Sequence, residues 1–155
     1  MGRRKQPTHV TTASGHRVKS YSEARIDDWF FENGYRTIYE PIIELEGSEF
    51  VPDWLILPND STVLRPIIVE YWGLMRDGIV ADWVIRRRER YERRKVEKEG
   101  VFGDSDSYDF IGILPSDIDS PQAMDRYLRG EIETLRKSAA LRSVVCQPVY
   151  DAIAD

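Results

Sequence analysis

The chain has 155 residues, 41% apolar and 32% charged, a balance that suits one globular domain with a sizeable core. Its net charge of −5 argues against a surface that binds polyanions everywhere, and the single Cys146 excludes an internal disulfide framework or a cysteine-based zinc site. No uninterrupted apolar stretch approaches the roughly 20 residues that a bilayer span needs, so no membrane partner is expected. The basic start, Met1 to Pro7, has no apolar segment behind it, which speaks against a secretory signal and leaves a cytoplasmic location as the default.

In chain order, residues 1–15 are polar and aperiodic and read as a flexible basic arm, followed by a domain over 16–143 and a tail over 144–155. A helix is expected from Tyr21 to Asn33, with Ile26, Trp29, Phe30 and Asn33 on one face and Gly34 as its stop. Short strands follow at Tyr35–Tyr39, Ile42–Leu45, Phe50–Leu57 and Pro66–Trp72, with Glu46-Gly47-Ser48 turning the second into the third. A long helix is expected from Ala81 to Lys98, closed by Gly100, then a buried strand at Asp109–Leu114. Ser120 and Pro121 are start signals for a last helix, whose Met124, Tyr127, Leu128, Ile132 and Leu135 keep a helical spacing interrupted by Glu131. Val144-Val145-Cys146 has the composition of a short edge strand. The order implies an α/β domain, a mixed sheet flanked by helices.

Two acidic residues end neighbouring apolar runs, in Val51-Pro52-Asp53 and in Ile67-Ile68-Val69-Glu70-Tyr71-Trp72-Gly73. Between them, Pro58-Asn59-Asp60-Ser61 is turn chemistry. A hairpin symmetrical about Ser61 and Thr62 puts Asp53 directly across from Glu70 on one face. Cross-strand neighbours have Cβ atoms about 4.5–5.5 Å apart, where like charges repel, and a divalent cation would remove that repulsion. A third acid, Glu23, follows Ser20 at capping-box spacing, a role compatible with facing the same cleft.

Positive charge is concentrated. From Arg86 to Lys98 eight basic residues stand against Glu89, Glu92 and Glu97, and Arg3, Arg4, Lys5, Arg17 and Lys19 form a second group. Such a stripe can follow a phosphate backbone, or it can be a solvated helix laced with pairs such as Arg93–Glu97. His9 and His16 have no second ligand at metal spacing. Trp54, Tyr71 and Trp72 read as packing residues before stacking platforms, Glu40 as a strand end or a supporting acid, and Cys146 as a small apolar residue.

Taken together, Ser20-x-x-Glu23 on a leading helix, Tyr39-Glu40-Pro41, Val51-Pro52-Asp53, Val69-Glu70-Tyr71-Trp72-Gly73 and the Arg/Lys-rich segment resemble the PD-(D/E)XK nuclease superfamily, over about Val18 to Asp117. The resemblance implies a restriction-endonuclease-like αβββαβ core and metal-dependent hydrolysis of phosphodiester bonds in DNA. It implies Asp53, Glu70 and the Tyr71 carbonyl as ligands of Mg²⁺ or Mn²⁺, with Glu23 in support. Oxygen donors of this kind suit a hard cation. It also leaves room for a homodimer, the arrangement that cutting both strands favours. The pattern departs at one place, because the lysine expected two positions after Glu70 is Trp72. Lys95 is the first candidate to replace it, with Arg87, Arg94 and Lys98 on the same stripe, and Lys19 is a candidate phosphate contact. The alternatives are a nuclease-fold module that binds nucleic acid without cleaving it, and an acidic pair that is incidental to a protein-interaction face.

Overall fold

The computed structural model describes residues 9–45, 48–73, 75–76, 79–80 and 108–153. Its centre is a four-stranded mixed sheet, flanked among the described residues by two helices, so the chain is of the α/β class. Strands β1 (Val10–Thr11) and β2 (Arg17–Val18) form a small hairpin and lead into α1 (Tyr21–Glu32). β3 (Thr37–Tyr39) belongs to the main sheet, while β4 (Ile43–Leu45) and β5 (Ser48–Phe50) pair with each other. β6 (Trp54–Ile56) and β7 (Ile67–Tyr71) return to the main sheet. β8 (Met75–Arg76) and β9 (Ile79–Val80) form another hairpin, β10 (Asp109–Ile113) completes the main sheet, and a 3₁₀ turn at Pro115–Ile118 precedes α2 (Pro121–Ile153).

The main sheet runs β10-β7-β6-β3. β3/β6 and β6/β7 are antiparallel and β7/β10 is parallel. Alternation along the strands sorts side chains by face. Trp54, Ile56, Ile67, Val69, Ile111 and Ile113 meet Ile26, Trp29 and Phe30 of α1 and Met124, Leu128, Ile132 and Leu135 of α2. Leu55, Ile68 and Phe110 form a smaller cluster with Ile43 on the other face. Both helices therefore cover one side of the sheet. Polar ties fix them there: Trp29 Nε1 donates to Asp125 Oδ1 at 3.1 Å, and an Arg25 guanidinium N–H donates to the Ile118 carbonyl at 2.9 Å.

Three expectations are corrected. The run Phe50–Leu57 is two strands, because Pro52 has no N–H for a ladder; Ser48–Phe50 pairs with β4 and Trp54–Ile56 with β3 and β7. Residues 10–15, expected as part of an arm, belong to the β1–β2 hairpin, whose turn uses Gly15 at φ +91° and a Thr12 N–H bond to the His16 carbonyl of 2.8 Å. Val144–Cys146 lies inside α2 and is not a strand. The expected helix over 81–98 lies outside the described residues.

A candidate acidic site at the sheet end

The β6–β7 ladder has the register that the sequence suggested: Trp54 faces Val69, Leu55 faces Ile68 and Ile56 faces Ile67. Asn59 organises the connection, its Oδ1 accepting from the N–H groups of Ser61, Thr62 and Val63 at 3.0, 2.7 and 2.9 Å. The ladder ends there, one residue short of Asp53 and Glu70. Asp53 lies just before β6, and its Oδ2 accepts the Tyr71 N–H at 2.7 Å. The next residue opposite Tyr71 would be Pro52, so the Asp53 side chain closes the ladder where the backbone stops offering partners. Glu70 is 6% exposed and, by alternation with Val69 and Tyr71, shares the face of Ile68.

Glu23 reaches the same end of the sheet from α1. Ser20 is the N-cap, extended at φ −153° and ψ 164°, and its Oγ accepts the Glu23 N–H at 3.1 Å. The Glu23 carboxylate turns back over the helix start, where Oε2 accepts from the Lys19 N–H at 3.1 Å and the Ser20 hydroxyl at 3.3 Å. Its other oxygen accepts from the Tyr39 hydroxyl at 3.2 Å. Capping and proximity to the site thus coexist in one residue. Burial, then the charge of Asp53, raises the Glu23 pKa above its ordinary value against these hydrogen bonds. Burial and the Glu23 charge likewise raise the Tyr39 hydroxyl pKa, keeping it a protonated donor.

Lys19 and Glu40 complete the rim. The Lys19 ammonium pairs with Glu40 Oε1, and the Glu40 N–H donates to the Asp53 carbonyl at 2.8 Å. Hydrogen bonding to Glu40 raises the Lys19 pKa, with the charges of Glu23 and Asp53 adding to it. Glu40 sits at φ +48°, a left-handed conformation rare for a side-chain-bearing residue and held here immediately before Pro41.

At the position where the resemblance expects lysine, Trp72 is 7% exposed and its backbone N–H donates to the Ile113 carbonyl at 2.9 Å. Its ring lies across Gly112, where an added Cβ would stand 2.1 Å from Trp72 Cζ3. Trp54 is wholly buried, so it and Trp72 are packing residues. Lys95, Arg87, Arg94 and Lys98 lie outside the described residues.

A second polar cluster adjoins the site, and the sequence reading does not anticipate it. Asp27, fully buried on α1, accepts from Ser14 Oγ at 2.6 Å, His16 Nδ1 at 2.8 Å and Trp54 Nε1 at 2.9 Å. Burial raises its pKa, but hydrogen bonds from Ser14, Thr12, His16 and Trp54 outweigh that and hold it below the ordinary value. His16 stacks on Tyr39 at 6.1 Å between ring centroids. The signal that could have found it is an aspartate within the apolar stripe of α1, between Ile26 and Phe30.

Among the described residues, no three His, Cys, Asp or Glu side chains converge as a metal-ligating group. In comparisons with family models, curated proteins and solved structures, nothing matches the chain. Among the described residues no helix is long and apolar enough to cross a membrane.

Proposed function

We propose that the chain is a divalent-metal-dependent endonuclease acting on DNA, with Asp53 and Glu70 holding the cation. The observation that carries this reading is the shared end of β6 and β7. There the β6–β7 ladder ends at Trp54–Val69, one residue short of Asp53 and Glu70, Asp53 accepts the Tyr71 N–H, and Glu23 sits close enough for Asp53 to raise its pKa. The sheet order, antiparallel β3-β6-β7 extended by a parallel β10, with a helix leading, is the arrangement expected of a restriction-endonuclease-like core.

The donor set fits a hard cation. Carboxylate oxygens of Asp53 and Glu70 and the Tyr71 carbonyl are the ligands that Mg²⁺ or Mn²⁺ prefers, and the Glu23–Asp53 repulsion is a cost that a cation would relieve. When bound, such an ion would polarise the scissile phosphate and bring the pKa of a coordinated water toward neutrality. Asp53 is held in place by the Tyr71 N–H and Glu23 by Tyr39, Ser20 and Lys19, so neither has to reorganise when substrate arrives. The basic segment with Arg87, Arg94, Lys95 and Lys98 would hold the DNA backbone, an interaction that weakens steeply with salt.

The test is a cleavage panel on linear, branched, mismatched and single-stranded DNA, with and without Mn²⁺. Asp53→Asn and Glu70→Gln should abolish cleavage and leave DNA binding intact. Cutting that survives both substitutions defeats the proposal. A second reading, a nuclease-fold module that binds without cleaving, is favoured by one observation: Trp72 is packed on Gly112 where the motif places lysine. Salt-sensitive binding with no cleavage of any DNA form would select it.

A further inference from the structure

Three rings join the buried Asp27 to the acidic site. Asp27 Oδ2 accepts two ring donors, His16 Nδ1 at 2.8 Å and Trp54 Nε1 at 2.9 Å. Both rings lie against Tyr39. His16 stacks on it, with centroids 6.1 Å and planes 28° apart, and Trp54 meets it tilted, at 5.8 Å and 57°. The Tyr39 hydroxyl leaves this clamp and donates to Glu23 Oε1 at 3.2 Å. Asp27 and Trp54 have no exposed surface, so the clamp is anchored in the core.

The Tyr39 bond differs in kind from the others on Glu23. Lys19 and Ser20 hold Oε2 from the helix start itself, where capping accounts for them. Tyr39 reaches Glu23 from β3, and capping has no need of it. Each carboxylate oxygen offers about two acceptor sites. Oε2 has both filled, whereas Oε1 has the Tyr39 hydroxyl and a site to spare. The terminal torsion of a glutamate is broad, so without Tyr39 that open oxygen is freer to swing.

Resting on the nuclease reading above, we infer that the Asp27 cluster is part of the catalytic apparatus: by clamping Tyr39 it aims the open lone pair of Glu23 Oε1 at the reacting water. Tyr39 and His16 are then positioning residues. Neither touches substrate, and each acts through Glu23.

The experiment uses the full chain and the DNA form that wild type cuts best in the panel. It measures kcat and KM in Mn²⁺, DNA binding without divalent ions, and the side-chain carboxyl carbon of Glu23 by NMR in metal-free protein. Tyr39→Phe keeps the ring in its clamp and removes only the hydroxyl. It should lower kcat by about 10- to 100-fold, the loss typical when a partner that orients a site residue is removed. KM and metal-free DNA binding should stay near wild type, and the Glu23 carboxyl resonance should shift. His16→Gln offers Asp27 an amide donor but no stacking ring. It should lower kcat in the same direction and add nothing in the Tyr39→Phe background. Tyr39→Phe should likewise add nothing in the Glu23→Gln background. Tyr39→Phe with the kcat of wild type overturns the inference and leaves the nuclease reading standing. So does an unshifted Glu23 resonance, or an equal loss of kcat with and without Glu23→Gln. Absence of cleavage by wild type in any divalent ion overturns both. Should Tyr39→Phe fail to fold, His16→Gln decides, and a wild-type kcat together with an unshifted Glu23 resonance in that variant overturns the role.

Discussion

Replacing Asp27 with alanine tests how the site is braced. Asp27 ties the β1–β2 hairpin, α1 and β6 together through Ser14, His16 and Trp54. Removing it strands the Trp54 indole N–H in a residue with no exposed surface, a loss of about 1–3 kcal/mol for an unsatisfied buried donor. Ser14 and His16 can turn to water, so each of their bonds adds about 0.5–1.5 kcal/mol. The expected total is about 4 kcal/mol. With a urea slope of about 2 kcal/mol per molar, the unfolding midpoint falls by about 2 M. Combining the change with Trp54→Phe, which deletes the stranded donor, should cost less than the two single losses together by about 1 kcal/mol or more. The pH dependence has a fixed sign. The folded-state pKa of Asp27 is depressed, so its stabilisation is present above the unfolded pKa of about 3.9 and is lost as pH falls through the folded value. The loss in Asp27→Ala should therefore be larger at neutral pH than in strong acid. A midpoint shift below about 0.5 M, or no coupling to Trp54, would refute the bracing argument.

Other expectations follow from the same packing. In Gly112→Ala the new Cβ would meet Trp72 Cζ3 at 2.1 Å and Cη2 at 2.3 Å, so the ring must move. That should cost about 1–3 kcal/mol and change the tryptophan fluorescence, and an unchanged melting temperature would contradict it. Glu23→Gln keeps the cap, since glutamine also serves at that position. Because the folded pKa of Glu23 is raised, wild type is least penalised below the unfolded pKa of about 4.3 and loses stability as pH rises through the folded value. Urea titrations at acid and neutral pH should therefore show the variant gaining on wild type only at neutral pH, with DNA cleavage reduced. Ser120→Ala removes the hydroxyl that accepts the Ala123 N–H at 3.0 Å, and calorimetric melting should register about 1 kcal/mol.

Features set by near neighbours are readable from the residues themselves. The capping serine and glutamate locate the start of α1, and Ser120 that of α2. The strand register can be read because two apolar runs flank a turn-forming segment, and a one-residue slip would send Trp54 and Val69 to the wrong face. Features that depend on distant contacts are not. His16 and Asp27 meet only because the chain doubles back at Gly15, which no periodicity records. The ion pair between Lys19 and Glu40 joins a helix start to a strand end, and nothing in either segment names its partner. The division of Phe50–Leu57 is a different case: a proline that lacks an amide donor stands in the middle of that run, so the residue types alone carry enough information to split it.

The indole seated on Gly112 also limits how this chain can change over generations. A single substitution introducing lysine at position 72 would vacate a space sized for two fused rings and place a flexible ammonium stem in it, at a loss of the order of 3–5 kcal/mol seen when large aromatics leave a core. Refilling that space would need a bulkier residue at 112 first, and that residue is barred while the tryptophan is present. Neither step is open alone, so in lineages carrying this pair the two positions can change only together.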